Sequence, residues 1–329
     1  MQVYIEKELV MIPMALNSFY YNIPFGAKKI VFSKTVSISE EFMEILLNYI
    51  NELPTEKHII LDLENIDYAF KLFEEFQKIN RPLIFININT QSLREKIKEN
   101  LPGIQLDSKG TNGTLNAYFN KSVLDICSQY SSCISHKVYV KIVKELIDKV
   151  KKSSGEPHKL DSSGLYSNMY VNVKKLFLEP ECYYAIVYGL ARKIVDSDIE
   201  FDGFVSSSKN GALLANLLGM LLDKKVIHIM GIGPKYSMNI GNVQKEIKKR
   251  KNYICIFDFR CTGTEMKILS ALINANDAYV QGYAGIAVYK YDLKDVSENI
   301  MLYLVDIKDE EIPYKIAGEK EDLIKLMDD

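Results

Sequence analysis

Residues 253–266, YICIFDFRCTGTEM, join an acid to a turn that is rich in glycine and hydroxyl groups. Apolar residues run up to Asp258, Gly263 stands within a Thr-Gly-Thr turn, and an apolar pattern at helical spacing follows from Met266. Gly263 lets the backbone approach a bound group closely, and the free N–H groups at a helix start favour an anion, most often phosphate. Asp258 can accept hydrogen bonds from sugar hydroxyls. These residue types predict a site for a phosphorylated sugar at the carboxyl end of a buried strand.

This stretch resembles the signature of the type I phosphoribosyltransferases, in which two acids end a strand and a Thr-Thr-Gly-x-Thr/Ser turn follows. In that family the acids bind the ribose hydroxyls of phosphoribosyl diphosphate, and the turn holds its 5-phosphate. Aligned on Gly263, the second acid is Asp258, which becomes a candidate catalytic residue, whereas Phe257 stands at the first acid and Glu265 at the closing hydroxyl. The resemblance implies the following phosphate-binding residues: Cys261, Thr262, Gly263, Thr264 and Glu265.

A second loop lies within residues 201–215, after another predicted strand and with Gly211 at its bend. It resembles the diphosphate loop of the family, Gly-x-x-x-Gly-Gly-x-x-Leu-Ala, with Ser206 and Asn210 in place of two glycines. Its hydroxyl groups and backbone amides are suited to an oxyanion. The resemblance implies the following diphosphate-loop residues: Ser206, Ser207, Ser208, Lys209, Asn210 and Gly211.

Residues 159–173, KLDSSGLYSNMYVNV, resemble the strand that opens the catalytic domain of orotate phosphoribosyltransferases and their relatives. Ser162 stands where that family has a Lys that contacts the base, so the identity of the base stays open. The segment 231–251 resembles the mobile flap of the family and makes Lys235 a candidate catalytic residue, although the Arg-Lys-x-x-Lys-x-His run of the flap is missing. The resemblance implies the following residues for the hood over the base: Ser163, Gly164, Ser167 and Tyr170.

The amino-acid composition limits the classes of protein to which this chain can belong. The 329 residues are 47% hydrophobic, which suits two domains with a core each. A net charge of −2, from 41 basic and 43 acidic residues, argues against nucleic acid or an anionic membrane as a partner. The five cysteines contain no CxxC pair, and no apolar run approaches the roughly 18 residues of a membrane span. We therefore expect a cytoplasmic protein without a disulfide framework or a zinc site.

The first part of the chain predicts strands and helices in the order β-β-α-β-α-β-α, a small α/β sandwich. Buried strands are expected at 58–65 and 83–88, and Ser39 is a predicted helix N-cap. This order resembles STAS domains, which are protein-interaction modules. The phosphorylatable Ser of that family would fall at 67–70, where no Ser or Thr stands. The resemblance implies a surface for a protein partner or for dimerisation, without a phosphorylation switch.

The predicted architecture is therefore α/β with two domains. Residues 1–106 form the STAS-like domain, and 107–135 form a polar linker with a connecting helix at 118–130. Residues 136–329 form the phosphoribosyltransferase-like domain, whose alternating strands and helices predict a doubly wound parallel sheet.

Two functions remain open. The first is transfer of ribose 5-phosphate from phosphoribosyl diphosphate to a nitrogenous base with Mg²⁺, in a homodimer, as the family resemblance implies, with no metal ligand assigned in the chain itself. The second is a degenerate nucleotide- or sugar-phosphate-binding regulator that signals through the STAS-like domain. Phe257 removes a charged acceptor, a loss of about 1.5–3 kcal/mol. Glu265 would repel a phosphate about 4 Å away by roughly 4 kcal/mol at an effective dielectric near 20.

Overall fold

The structure is a computed structural model. It describes the following residues: 1–22, 32–69, 75–76, 79, 81, 83–88, 90–101, 105–107, 115–119, 138–160, 164–229, 246–289, 299–307 and 315–328. The chain divides into two compact units. The first unit comprises Met1–Lys28 and Ser33–Ile142, and the second unit comprises Lys29–Phe32 and Val143–Asp329.

The first unit is built on a six-stranded sheet of order β1-β2-β4-β6-β8-β7. Its elements are β1 (Tyr4–Glu6), β2 (Leu9–Pro13), α1 (Met14–Asn22), β3 (Val36–Ile38), α2 (Glu40–Glu52), β4 (His58–Asp62), β5 (Ile66–Ala69), β6 (Leu83–Ile88), α3 (Gln91–Asn100), β7 (Gln105–Asp107), β8 (Leu115–Phe119) and α4 (Val138–Val150), which contains the division between the units. Strands β2, β4 and β6 pair in parallel, and every residue of β2 and β6 is buried. Full burial explains why these strands read as continuous apolar runs.

Local sequence signals in the first unit are confirmed at several points. Strands β4 and β6 lie where buried strands are predicted, and α2 starts behind Ser39, whose side chain accepts a hydrogen bond from the Phe42 N–H. Phe76 is buried and its ring contacts Phe85, as expected of a core residue. The sequence also predicts an amphipathic helix whose core residues are Phe70, Phe73 and Phe76; of these, Phe70 and Phe73 lie outside the described residues.

The sequence prediction fails at the end of this unit. Strand β8 stands where a helix beginning at Tyr118 is predicted, and it pairs antiparallel with both β6 and β7. The alternation of Leu115, Ala117 and Phe119 has the period of a strand. Residues 115–119 therefore belong to the sheet of the first unit, and the two compact units divide between Ile142 and Val143. The predicted domain boundaries stay a prediction.

A buried acid marks the carboxyl end of β4. Asp62 Oδ1 accepts hydrogen bonds from Asn87 Nδ2 at 2.9 Å and from the Glu64 N–H at 3.0 Å, and both Asp62 and Asn87 are buried. Burial raises the pKa of Asp62 to about 7, although these bonds and one from the Val138 N–H oppose the shift. The carboxyl group therefore ties two strand ends to the start of α4.

The second unit contains a five-stranded sheet of order β12-β11-β13-β14-β15, in which every pairing is parallel. Its elements are β9 (Lys151–Lys159), β10 (Tyr166–Val171), α5 (Val173–Leu176), α6 (Pro180–Asp196), β11 (Gly203–Ser206), α7 (Lys209–Leu222), β12 (Lys225–His228), β13 (Asn252–Arg260), α8 (Thr264–Ala275), β14 (Tyr279–Tyr289), β15 (Ile300–Ile307), β16 (Ile316–Ala317) and α9 (Lys320–Asp328). The predicted parallel α/β sheet is confirmed.

Helices cover the sheet through alternate residues of its central strand. Tyr253, Cys255 and Phe257 of β13 join a buried cluster with Met266 and other residues of α8. The residues between them are also buried, and α7 contacts β13 as well. Since side chains alternate across a strand, the two helices lie on opposite faces of the sheet, as in a doubly wound fold.

A smaller antiparallel sheet, β16-β10-β9, accompanies the parallel sheet. Its strand β9 occupies 151–159, where the sequence predicts a basic helix end and a glycine stop at Lys-Lys-Ser-Ser-Gly. The helix that the sequence predicts over 137–152 is confirmed by α4 (Val138–Val150), with Lys149 in its last turn, but the predicted glycine stop is wrong because Lys151–Lys159 continues as a strand that pairs with β10.

Candidate functional site

The second unit contains a cavity of about 290 Å³ at the carboxyl end of β13. The end of β13, the turn after it and the start of α8 line the cavity, together with residues of the loop after β11 and of β9 and β10 with their flanks. The full lining is Lys159, Leu160, Val171, Val173, Ser208, Asn210 and residues 257–266. This is the edge of an open α/β sheet where ligands bind, so the fold and the sequence motif point to the same place.

The turn between β13 and α8 presents backbone donors. Gly263 is the N-cap of α8 and adopts a left-handed conformation with φ 74°, which glycine tolerates best. The hydroxyls of Thr262 and Thr264 lie 2.9 Å apart, and the Lys267 N–H donates to the Gly263 carbonyl at 3.0 Å. The first N–H groups of α8 have no partner within the helix, so the turn favours an anion. Cys261 also lines the cavity here.

The loop after β11 opens α7. Ser208 is the N-cap of α7 and its Oγ accepts from the Gly211 N–H at 2.9 Å. A Cβ on Gly211 would lie 3.0 Å from the Ile256 carbonyl oxygen, so glycine allows α7 to start close to β13. Lys209, the first residue of α7, is exposed and does not line the cavity.

Ser206 faces away from the cavity lining. Its side chain is fully buried and its Oγ hydrogen-bonds with His228 Nδ1 at 2.8 Å, while His228 Nε2 hydrogen-bonds with Asn216 Oδ1 at 3.1 Å. Ser206 does not line the cavity, and its role in holding an oxyanion stays a prediction.

The acids of the turn and the donors of the loop after β11 are bonded to each other. Asn210 Nδ2 donates to Asp258 Oδ2 at 2.8 Å. Ser207 Oγ donates a short hydrogen bond to Glu265 Oε1, and the Ser208 N–H also donates to the Glu265 carboxylate. Asp258 and Glu265 thus stand at the two sides of the same loop.

The Glu265 carboxyl group is largely buried by these contacts. Burial raises its pKa, and the charge of Asp258 raises it further, whereas the bonds from Ser207 and Ser208 lower it. The carboxylate therefore points to the oxyanion donors of the loop, where the family resemblance expects a diphosphate.

Phe257 fills the place of the first acid of the family. Its side chain is 3% exposed and belongs to the core cluster that also contains Met266. A Cβ on Gly285 of β14 would lie 2.2 Å from the Phe257 ring. The Phe257 ring therefore packs directly against Gly285 of the neighbouring strand.

Arg260 is a charged residue of the site that the motif does not predict. It ends β13, lines the cavity and is 8% exposed. Nη1 donates to Met301 Sδ at 3.2 Å, and Nε has no hydrogen-bond partner among the described residues. Burial lowers the pKa of the guanidinium, which still remains charged at neutral pH. In the sequence, a charged residue at the end of an otherwise apolar strand was the signal that could have identified Arg260 as a site residue.

Lys159 adds a second cation to the lining. It ends β9, and its Nζ lies 5.4 Å from the centre of the Tyr166 ring. Its exposed side chain gives the mouth of the cavity a positive charge.

The remaining predicted residues contribute less to this cavity. Gly164, with φ 73°, and Ser167, which is buried on β10, do not line it, and Tyr170 lies on the same strand. Ser163 and Lys235 lie outside the described residues. The hood and flap therefore stay predictions.

Two properties of the described residues concern metal binding and membranes. They contain no group of three or more His, Cys, Asp or Glu side chains that could hold a metal ion. Within the same residues, no helix is long and apolar enough to cross a bilayer. The cytoplasmic location stays a prediction.

Comparison with solved structures gives low overall similarity. Adenine phosphoribosyltransferase from Thermoanaerobacter pseudethanolicus is 11% identical, with a TM-score of 0.40 over 50% of this chain and 99% of that one. Orotate phosphoribosyltransferase from Aeropyrum pernix is 13% identical, with a TM-score of 0.39 over 50% of this chain and 92% of that one.

Comparison with curated proteins finds orotate phosphoribosyltransferases, whereas no protein-family model matches the chain. The protein of Campylobacter jejuni subsp. doylei is 28% identical over 132 residues, which are 40% of this chain and 64% of that protein. That of Campylobacter lari is 27% identical over 130 residues, 40% of this chain and 63% of that protein. The chain thus spans less than two thirds of these relatives. The chain is similar to orotate phosphoribosyltransferases, as its motifs predict. None of these relatives tests the resemblance of the first unit to STAS domains, which stays a prediction.

Proposed function

We propose that the second unit binds a phosphoribosyl compound in the cavity and acts as a phosphoribosyltransferase. The observation that carries the proposal is the convergence of Asp258, the Thr262–Thr264 turn and the Ser208–Asn210 loop on one cavity. An acceptor for sugar hydroxyls thus lies between two sets of backbone donors suited to phosphate groups. The similarity to orotate phosphoribosyltransferases makes phosphoribosyl diphosphate the first substrate to test.

In the proposed reaction, the bond between C1′ of the ribose and the diphosphate oxygen breaks, and a bond from a base nitrogen to C1′ forms. The diphosphate leaves with the electron pair of the broken bond, and the base nitrogen loses a proton. Asp258 would hold the ribose hydroxyls, and its negative charge would stabilise the positive charge that develops on the sugar. Lys235, on the predicted flap, is proposed to reach the leaving group.

Mg²⁺ fits this site only together with a substrate. The ion usually binds proteins through one or two carboxylates and completes its shell with water and substrate phosphates. Asp258 and Glu265 supply two carboxylates to the lining, and the described residues contain no group of three or more His, Cys, Asp or Glu side chains that could hold a metal ion without a substrate. When bound, Mg²⁺ would neutralise charge on the diphosphate.

Calorimetry with phosphoribosyl diphosphate and Mg²⁺ tests the binding step. Release of diphosphate in the presence of orotate, and then of other nitrogenous bases, tests the transfer step. We expect binding in the micromolar range or tighter and base-dependent release. An absence of binding to any ribose phosphate would reject the proposal.

A second candidate function is favoured by the bond between Ser207 and Glu265. An internal carboxylate on the oxyanion donors competes with a diphosphate, so the unit would bind a nucleotide or sugar phosphate without turnover. Such a regulator is proposed to signal to a protein partner through the first unit. Nucleotide binding without diphosphate release, for any base, would support this function over the transferase.

The family resemblance also implies a homodimer. We include this assembly in the proposal because a flap can complete the site of a partner subunit. Light scattering coupled to size exclusion would give the mass directly, and a monomer at micromolar concentration would remove the dimer from the proposal.

A further inference from the structure

The guanidinium of Arg260 carries a positive charge that its described surroundings do not neutralise. Its one hydrogen bond among the described residues is to Met301 Sδ, and a thioether is a weak acceptor. Nε has no partner there, and none of the ion pairs between described residues includes Arg260. A buried charge without a partner is strongly unfavourable. This arginine therefore fits a bound anion better than a packing role.

The guanidinium lies against the turn that opens α8. A Cβ built on Gly263 would lie 3.2 Å from Arg260 Nε and 3.4 Å from Nη2. Arg260 also lines the cavity, beside the first turn of α8, whose N–H groups have no partner within the helix itself. Two independent features, a buried guanidinium and a helix N-terminus, thus favour negative charge at the same point.

The negative charges of the lining make this cation necessary for a phosphate ligand. Asp258 and Glu265 both line the cavity, and both would repel a phosphate on the turn. We propose that Arg260 binds the phosphate group of a phosphomonoester held at the 261–265 turn, where it offsets these two carboxylates. A guanidinium can donate two parallel hydrogen bonds to phosphate oxygens, which suits this task.

The inference rests on the proposed function only in assuming that the ligand contains ribose. The contact between Arg260 and the phosphate group does not depend on that function. Ribose 5-phosphate, glycerol 3-phosphate and ribose therefore serve as three separate probes. Binding is measured by calorimetry and by the shift that each probe causes in the melting temperature.

Arg260→Met is the main variant, because methionine fills similar space without charge. We expect it to weaken binding of both phosphomonoesters at least tenfold, since it removes a charged hydrogen-bond donor. Without ligand its melting temperature should equal or exceed that of the wild type, because an unpaired buried charge is lost. A purely structural arginine would give a lower melting temperature and unchanged affinity, which would overturn the inference.

Lys251→Met is the matched control. Lys251 precedes the opposite end of β13, roughly 30 Å from Arg260 at about 3.3 Å per residue, and pairs with Asp202 on the surface. The control should leave phosphomonoester affinity unchanged. An equal loss in both variants would indicate a general charge effect and would contradict a site at Arg260.

The probes separate failure of this inference from failure of the proposed function. If Arg260→Met binds ribose 5-phosphate as the wild type does, the inference fails and the proposed function stands. If the wild type binds glycerol 3-phosphate through Arg260 but does not bind ribose 5-phosphate, the inference stands and the proposed function fails. Binding of no phosphomonoester by the wild type rejects both.

Arg260→Lys covers the case in which Arg260→Met does not fold. Lysine keeps the charge but loses the planar pair of donors, so affinity for phosphomonoesters should fall several-fold. Unchanged affinity in this variant would overturn the inference.

Discussion

Ser207 Oγ donates a hydrogen bond to the carboxylate of Glu265, and the two residues lie 58 positions apart in the sequence. The bond joins the loop after β11 to the first turn of α8. Because Glu265 also accepts from the Ser208 N–H, it occupies two donors of the loop that we propose for diphosphate binding. The charge of this side chain should therefore set the affinity of the site for anions.

Replacing Glu265 by Thr should tighten binding of phosphoribosyl diphosphate about tenfold or more, since 1.4 kcal/mol corresponds to a factor of ten. The change removes a repelling charge and supplies the hydroxyl found in the family. Glu200→Thr, at an exposed position of the same unit, serves as the control. Calorimetry measures both. If the transferase works through Glu265, kcat/KM falls instead, and unchanged binding would show that Glu265 is not at the ligand.

Asp258→Asn should weaken the binding of ribose-containing ligands about tenfold, because the variant loses a charged hydrogen-bond acceptor. The asparagine oxygen can still accept from Asn210, so the free energy of unfolding should change by less than about 0.5 kcal/mol. Glycerol 3-phosphate should bind the variant as it binds the wild type. A loss of equal size for both ligands would place Asp258 near the phosphate and not near the sugar.

Gly263→Ala should destabilise the second unit by about 1–2 kcal/mol, because the left-handed backbone disfavours a Cβ. The added carbon would also press on Arg260 Nε, so phosphomonoester binding should weaken as well. Gly318→Ala is the control, since no atom lies within 4 Å of its built Cβ. Chemical denaturation followed by circular dichroism measures both variants. Equal stability of the two would contradict the geometry of the turn.

Asp62 should make the first unit less stable as the pH rises. Its pKa is raised from an ordinary value of 3.8 to about 7, because burial penalises the charged form. The folded state therefore holds the proton more tightly than the unfolded state. The stabilisation is complete below about pH 3.8 and is lost as the pH rises to about 7, with a slope of up to about 1.36 kcal/mol per unit.

Asp62→Asn isolates this effect, because the amide does not titrate and its oxygen can still accept from Asn87. The difference in unfolding free energy between variant and wild type should shift in favour of the variant from pH 4 to pH 7. Parallel pH curves for the two proteins would show that Asp62 titrates normally.

Local patterns in the sequence were sufficient to predict the central strand of the second unit and the start of the helix after it. The apolar run of residues 253–257, the acid after it and the glycine of the turn predict β13 and the start of α8, and both are confirmed. Each of these signals depends on neighbours within a few residues. The same holds for the N-cap at Ser39.

Features that depend on distant residues could not be predicted in this way. The contact of Arg260 with Met301 and the bond of Glu265 to Ser207 join segments that meet only in the folded sheet. Strands β8 and β9 are likewise not predicted, because pairing with other strands decides whether such short segments form strands.

The packing of the Phe257 ring against Gly285 limits which substitutions these two positions can accept. An acid at 257 would leave a gap of aromatic size, and large-to-small changes of this kind cost about 3–5 kcal/mol. A larger residue at 285 would meet the Phe257 ring at 2.2 Å, so that step is blocked while the ring remains. An acid can therefore take position 257 only together with a larger residue at 285, and the packing of the two strands ties these two substitutions to each other.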